Sequence, residues 1–252
     1  MTKRPRARPR VLALHGISAT PALWDDVSHE APHFEWIAPD LSVLLQAVGA
    51  RLGSLVRALS AVVGTGPVAL VGCGVGANVA LELAAALGDR ARGLLLLNPQ
   101  PLRPQPAQRE RYRQLARLVQ HRMSDDELLA WAAMYVRRRG PRAEKAVPQA
   151  EAMLVSTSRS SVPLLRLVAD FPDGADALGR VRAPVRAVFG EDHLNPFAGP
   201  GWIDEWRRAL GPENVELLPE TRQWLPLEAP DAVAEALVSL LDGGNAARSE
   251  GK

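Results

Sequence analysis

The stretch from Val68 to Ala84 constrains the fold more than any other part of this chain. It reads Val-Ala-Leu-Val-Gly-Cys-Gly-Val-Gly-Ala-Asn-Val-Ala-Leu-Glu-Leu-Ala. An apolar run enters Gly72, Gly74 and Gly76, and a small-residue helical pattern follows with no polar linker. A short apolar run ending at glycine reads as a strand buried on both faces. Alternating glycines permit a sharp bend and a close strand–helix crossing that side chains would obstruct.

The same alternation recurs. Val11–Leu14, Trp36–Ala38, Val68–Val71, Leu94–Leu97, Val185–Phe189 and Val215–Leu218 read as strands. Helices are predicted at 21–28 with Thr20 as cap, from Ser42 as cap to about 63, and at 75–87, 202–210 and 230–241. This predicts an α/β fold with a mostly parallel sheet and helices on both faces. Right-handed crossovers then place functional loops at the carboxyl ends of the strands.

From about 101 to 175 the pattern is helical only. The clearest helices are Glu110–His121 and Asp125–Arg138, the second with Ser124 and Glu127 as a capping box. Such an insertion would cover the strand ends as a lid. The expected division is a flexible basic tail at 1–10, a core at 11–100 and 176–242, a helical lid at 101–175, and a flexible C-terminal tail at 243–252.

Composition narrows the partners. No run approaches the roughly 20 apolar residues that span a bilayer. Cys73 is the only cysteine, so no intramolecular disulfide can form and a reducing, cytoplasmic compartment is expected. The arginines gather in the N-terminal tail and around Arg103–Arg117, without a nucleic-acid-binding module. The histidine spacing suggests no metal site, and no cofactor is expected.

Gly72-Cys73-Gly74-Val75-Gly76 resembles the nucleophile elbow, G-x-S-x-G, of the α/β-hydrolase family. Other segments match in order. Leu14-His15-Gly16, with Trp24 downstream, resembles the oxyanion loop. Pro39-Asp40-Leu41 resembles the end of the following strand. Gly190-Glu191-Asp192-His193 resembles the acid loop, and Gln223 to Pro230 the loop that normally begins with the catalytic histidine. The resemblance runs from about 11 to 241. It implies an α/β-hydrolase fold, with the lid inserted after the sixth family strand.

The departures bear on chemistry. The resemblance places the nucleophile position at Gly74, the acid position at His193, with Asp192 one residue early, and the histidine position at Gln223. The alternative acid position, at the end of the Leu94–Leu97 strand, holds Asn98. Glycine cannot attack, and Gln cannot shuttle a proton near neutral pH. Using Cys73 instead would put Val71 and Val75 at the crowded crossing, so a packed thiol is expected there.

A backbone oxyanion hole at Ile17 and Val75 would survive such losses. Ser18, Trp131, Tyr135 and Trp224, with Met134, are candidate pocket residues; otherwise the aromatic ones are lid core. His193, ordinarily titrating near about 6.5, is the candidate base; otherwise it is a polar loop residue. The resemblance thus points to a non-hydrolytic protein holding a carbonyl-containing small molecule or modified peptide. It would be an epimerase or isomerase, cyclase or lyase of natural-product biosynthesis. The alternatives are a silent ligand-binding or regulatory pseudoenzyme and a weak atypical esterase or thioesterase.

Overall fold

The computed structural model describes residues 8–121, 124–157, 159–193 and 201–249. Six strands form one sheet: β1 (Arg10–Leu14), β2 (Glu35–Ile37), β3 (Val68–Cys73), β4 (Ala91–Leu97), β5 (Val185–Gly190) and β6 (Val215–Leu218). Every pairing is parallel, in the order β2-β1-β3-β4-β5-β6. The sheet is therefore wholly parallel, where a mostly parallel one was expected.

Alternation along the strands sorts their side chains into two cores. Leu12, Leu14, Leu70, Leu94, Leu96 and Phe189 join one. Val11, Ala13, Val71, Leu95, Leu97 and Val188 join the other. The first is covered by α2 (Leu41–Val48), α3 (Leu52–Val63), α4 (Val75–Leu87) and α10 (Trp202–Leu210). The second is covered by α1 (Asp25–Glu30), α11 (Leu225–Glu228) and α12 (Pro230–Ser249). A sheet with both faces buried needs apolar residues at successive strand positions, which is what the sequence shows.

The helical insertion comprises α5 (Pro106–His121), α6 (Asp125–Tyr135), α7 (Ala143–Thr157), α8 (Val162–Ala169) and the start of α9 (Gly174–Leu178). Its helices divide between the two faces: α5 and α8 feed the first core, α6 and α7 the second. The Ser124–Glu127 capping box forms as expected, although α6 ends at Tyr135.

Other boundaries also differ from the sequence reading. The single helix expected from Ser42 to about Val63 is two helices bent by 116°. Gly49, at φ 81°, ends the first of them, and Asp40 caps it by accepting from the Ser42 and Val43 amides. Both halves present apolar residues at helical spacing, so periodicity runs across the break. At the N-terminus, Arg10 belongs to β1 and its guanidinium donates to the Val63 carbonyl at 2.7 Å. Residues 1–7 of the proposed tail lie outside the described residues. At the other end α12 continues to Ser249, through the glycines read as the start of a tail. A helix nucleated by the buried Val233–Leu240 face extends at little cost per residue. Among the described residues no single helix is long and apolar enough to cross a membrane.

The β3–α4 crossing tolerates nothing larger than hydrogen at two positions. A Cβ on Gly72 would lie 2.4 Å from the Gly76 carbonyl oxygen, and one on Gly76 would lie 2.3 Å from the Leu14 carbonyl oxygen. Gly76→Ala should therefore destabilise the fold by about 3 kcal/mol or more. Gly53→Ala, whose Cβ would touch only the Arg57 side chain at 3.6 Å, should stabilise it by roughly 0.5 kcal/mol. Urea denaturation midpoints of the two variants check both.

Candidate active site

β2 lies to one side of β1 and β3 to the other, so the chain reverses direction between β1 and β3. In open α/β sheets a crevice opens outside the carboxyl ends at such a switch point. Here Gly74 forms the bend from β3 into α4, at φ 58° and ψ −122°. That is a left-handed region open to glycine at little cost. Its amide donates to the Leu97 carbonyl at 2.8 Å, locking the bend to β4. Val75 opens α4, so its N–H has no acceptor within the helix and lies at the positive end of the helix dipole.

The β1 loop approaches the same point. A Cβ on Gly16 would stand 2.9 Å from the Cys73 carbonyl oxygen, so this loop too depends on glycine for its approach. His15 is fully buried and holds the loop. Its Nε2 accepts from the Leu41 amide at 2.9 Å, which leaves Nδ1 to donate to the Gly16 carbonyl at 2.9 Å. Ser18 sits at φ 56°, and its amide donates to Ser161 Oγ at 2.9 Å. Its hydroxyl pairs with that of Tyr135, whose pKa burial pushes up to about 12.

The last loop is fixed from several directions. The Gln223 and Trp224 amides both donate to the Tyr135 carbonyl, at 3.0 and 2.9 Å. Asn98 Nδ2 donates to the Arg222 and Gln223 carbonyls at 2.7 and 3.0 Å, while its Oδ1 accepts from the Gly190 amide at 3.0 Å. Asn98 is thus a clamp joining the ends of β4 and β5 to the loop. Glu228 accepts from the Arg137 and Arg222 amides at 2.6 and 2.7 Å. Burial pushes its carboxyl up to about 7, against those amides, which favour the charged form.

These loops and the insertion enclose a cavity of about 280 Å³. Gly16, Ile17, Gly74, Val75, Gln223 and Trp224 line it from the strand ends. The insertion adds Trp131, Met134 and Tyr135 from α6, Tyr112 and Leu115 from α5, and Leu165 from α8. Gln100, just beyond β4, completes the lining. No Ser, Cys, His, Asp or Glu belongs to that lining among the described residues. Gln223 Nε2 lies 2.9 Å from where a Cβ on Gly74 would stand. The two positions the sequence singled out are therefore neighbours in space.

Of the other expected site residues, Ile17, Val75, Trp131, Tyr135 and Trp224 all line the cavity. Ser18 reaches it only through its bond to Tyr135. His193 stands elsewhere. It is not part of the lining; its ring packs edge-on against Trp202 at 5.4 Å. Among the described residues neither of its buried ring nitrogens has a hydrogen-bond partner. Burial lowers its pKa to about 3, so it is neutral near pH 7 and not poised there as a base. Asp192 is exposed, with its carboxylate 3.3 Å from Arg137. Cys73 is buried, its thiol donates to the Gln223 carbonyl at 3.4 Å, and burial pushes its pKa far up. Among the described residues no group of three or more His, Cys, Asp or Glu could hold a metal ion.

The sequence reading missed Gln100, Tyr112, Leu115 and Leu165. Gln100 had a usable signal, lying two residues beyond Asn98 at a strand's carboxyl end. Its amide donates to Asn78 Oδ1 at 2.8 Å, and its side chain accepts from the Tyr112 hydroxyl. The other three sit on amphipathic helices, and no local pattern separates a cavity-lining apolar residue from a core one.

The sequence model of the alpha/beta hydrolase family matches residues 11–236. Lipase LipV of Mycobacterium tuberculosis is 36% identical over 101 residues, which span 38% of this chain and 39% of the lipase. A thermophilic esterase from Thermogutta terrifontis superposes with a TM-score of 0.77 at 21% identity, over 94% of this chain and 90% of the esterase. The enol-lactonase from Burkholderia xenovorans gives 0.74 at 15% identity, over 95% and 94%. At those identities the two structures establish a shared fold.

Two outcomes test the frame of the site. Asn98→Ala, which strips a partner from the buried Gly190 amide and from the half-buried Arg222 and Gln223 carbonyls, should cost about 2–3 kcal/mol of stability in urea denaturation. Glu228 has a folded pKa raised above its unfolded value, so the folded chain binds more protons between the two. Its contribution is complete below the ordinary carboxylate range and is lost as pH rises towards about 7. The midpoint of the natural chain should accordingly fall relative to Glu228→Gln over that window.

Proposed function

This chain belongs to the alpha/beta hydrolase family, and from that premise we propose that it holds a carbonyl compound without forming an acyl intermediate. The observation that carries the reading is the lining of the cavity. Gly74 forms the bend that the sequence resemblance takes as the nucleophile position, and the amide of Gln223 lies against it. Losing a nucleophile or base from a working triad costs on the order of a million-fold in turnover. Ordinary hydrolysis would be too slow to be its task. The names lipase, esterase and enol-lactonase all denote chemistry at an acyl carbonyl, which supports a carbonyl ligand here.

Two backbone donors suit such a ligand. The N–H groups of Val75 and Ile17 would receive the carbonyl oxygen, assisted by the N-terminus of α4. Preorganised donors stabilise an enolate, in which negative charge develops on that oxygen. With His193 turned away, the proton acceptor would be a group on the substrate itself. Epimerisation, cyclisation or elimination beside the carbonyl of a small molecule or modified peptide fits this arrangement. The single buried thiol fits a reducing, cytoplasmic setting.

One observation favours a second reading, a catalytically silent binding or regulatory protein: no lining residue titrates near neutral pH among the described ones. A single substitution separates the readings. Proline is accepted at the first position of a helix and lacks the N–H, so Val75→Pro removes one donor and leaves α4 in place. In an enzyme of this kind it should slow exchange of the α-hydrogen of a bound carbonyl compound in heavy water by about 10²–10³-fold. An absence of exchange with the natural chain, alongside reversible binding, would identify the silent protein.

Covalent chemistry has its own test. A fluorophosphonate probe should leave the chain unlabelled, and Gly74→Ser alone should yield little ester hydrolysis. Intact-mass measurement after denaturation reads the first, and a nitrophenyl ester assay the second. A mass adduct surviving denaturation would overturn the proposal.

A further inference from the structure

Gln223 combines a fixed backbone with an unengaged side chain. Its N–H is held by the Tyr135 carbonyl, and its carbonyl receives Asn98 Nδ2 and the Cys73 thiol. Its side-chain amide lines the cavity without a hydrogen-bond partner among the described residues. Its donor and acceptor are therefore open to a ligand that enters the cavity, and covering them with an apolar one would be costly.

We propose that the Gln223 amide is a specificity determinant for an uncharged ligand carrying a lactam or primary carboxamide, an inference that rests on the carbonyl-binding reading above. A carboxamide presents an acceptor and a donor side by side in one plane. Its best complement presents a donor and an acceptor in the same spacing. A lactam does this, because its ring fixes N–H and C=O on one side. A lactone offers only the acceptor, and an N-methyl lactam has lost its donor.

Two further features narrow the ligand. No Asp, Glu, Lys, Arg or His lines the cavity among the described residues, so a charged ligand would find no counter-ion side chain there to offset its lost hydration. Tyr135 and Trp224 pack with ring centroids 4.5 Å apart, and Trp131 also faces the cavity. Aromatic walls favour a flat, unsaturated ring.

Isothermal titration of the full chain with five bicyclic probes of similar shape tests this. They are carbostyril (the lactam), N-methylcarbostyril, coumarin (the lactone), naphthalene and the anion quinaldate. Carbostyril should bind about tenfold tighter than coumarin or N-methylcarbostyril. Gln223→Leu should abolish the lactam preference, so that carbostyril binds that variant no more tightly than coumarin does. Gln223→Met, with thermal melts of both variants, guards against misfolding; should neither fold, the ranking by the natural chain decides.

Equal affinity for lactam and lactone, or a lactam preference that survives in Gln223→Leu, would overturn the assignment and leave the carbonyl reading standing. Quinaldate binding more tightly than carbostyril would overturn the claim of an uncharged ligand. Coumarin binding no better than naphthalene would bring down the carbonyl reading, and the lactam inference with it.

Discussion

The structure depends on a near-contact of backbones where β3 turns into α4 beside β1. Gly72, Gly76 and Gly16 each stand within about van der Waals contact of a neighbouring main chain, with no room for a methyl group. That closeness fixes three things together: the angle at which α4 leaves the sheet, the depth of the β1 loop, and the seat of Val75 at the head of the helix. Since α4 is buried on nearly every side, it cannot tilt to relieve pressure there. Shape at the bend is therefore set by the absence of side chains.

The last loop is held differently, by polar groups at the rim of the two cores. Asn98 links the ends of two strands to the carbonyls of Arg222 and Gln223, and the Tyr135 carbonyl receives two successive amides of the same loop. Glu228 ties that loop to the chain leaving α6. The insertion is consequently bonded to the site it covers, and its apolar helices merge with both cores. Polar groups that might do chemistry in a related protein here bind backbone: Asn98 secures a loop, His15 secures another, and Cys73 faces a carbonyl.

The result is a chamber whose polarity comes from neutral dipoles. Amides, phenols and helix-end N–H groups surround it, while the nearest acidic groups are turned outward or engaged by backbone. Low local polarity strengthens each remaining hydrogen bond. On the proposed reading such a site would discriminate by the pattern of donors and acceptors more than by charge.

The sequence alone determined the order of strands and helices, the family resemblance, the glycine-lined bend and the residues at each loop end. Those features are local: an apolar run, a cap or a required glycine announces itself within a few positions. It also placed Ile17, Val75, Trp131, Tyr135 and Trp224 at the cavity, because strand-end loops and the inserted helices converge there in any fold of this topology. Only the tertiary structure decided the rest. Periodicity could not see the bend at Gly49, since both sides of it bury the same kind of face. Nor could it see that His193 turns towards Trp202, or that Gln100 and Tyr112 reach the cavity, because each depends on packing between segments far apart in the chain. The lowered pKa of His193 followed from that packing, as burial disfavours the charged ring whatever its place in the sequence.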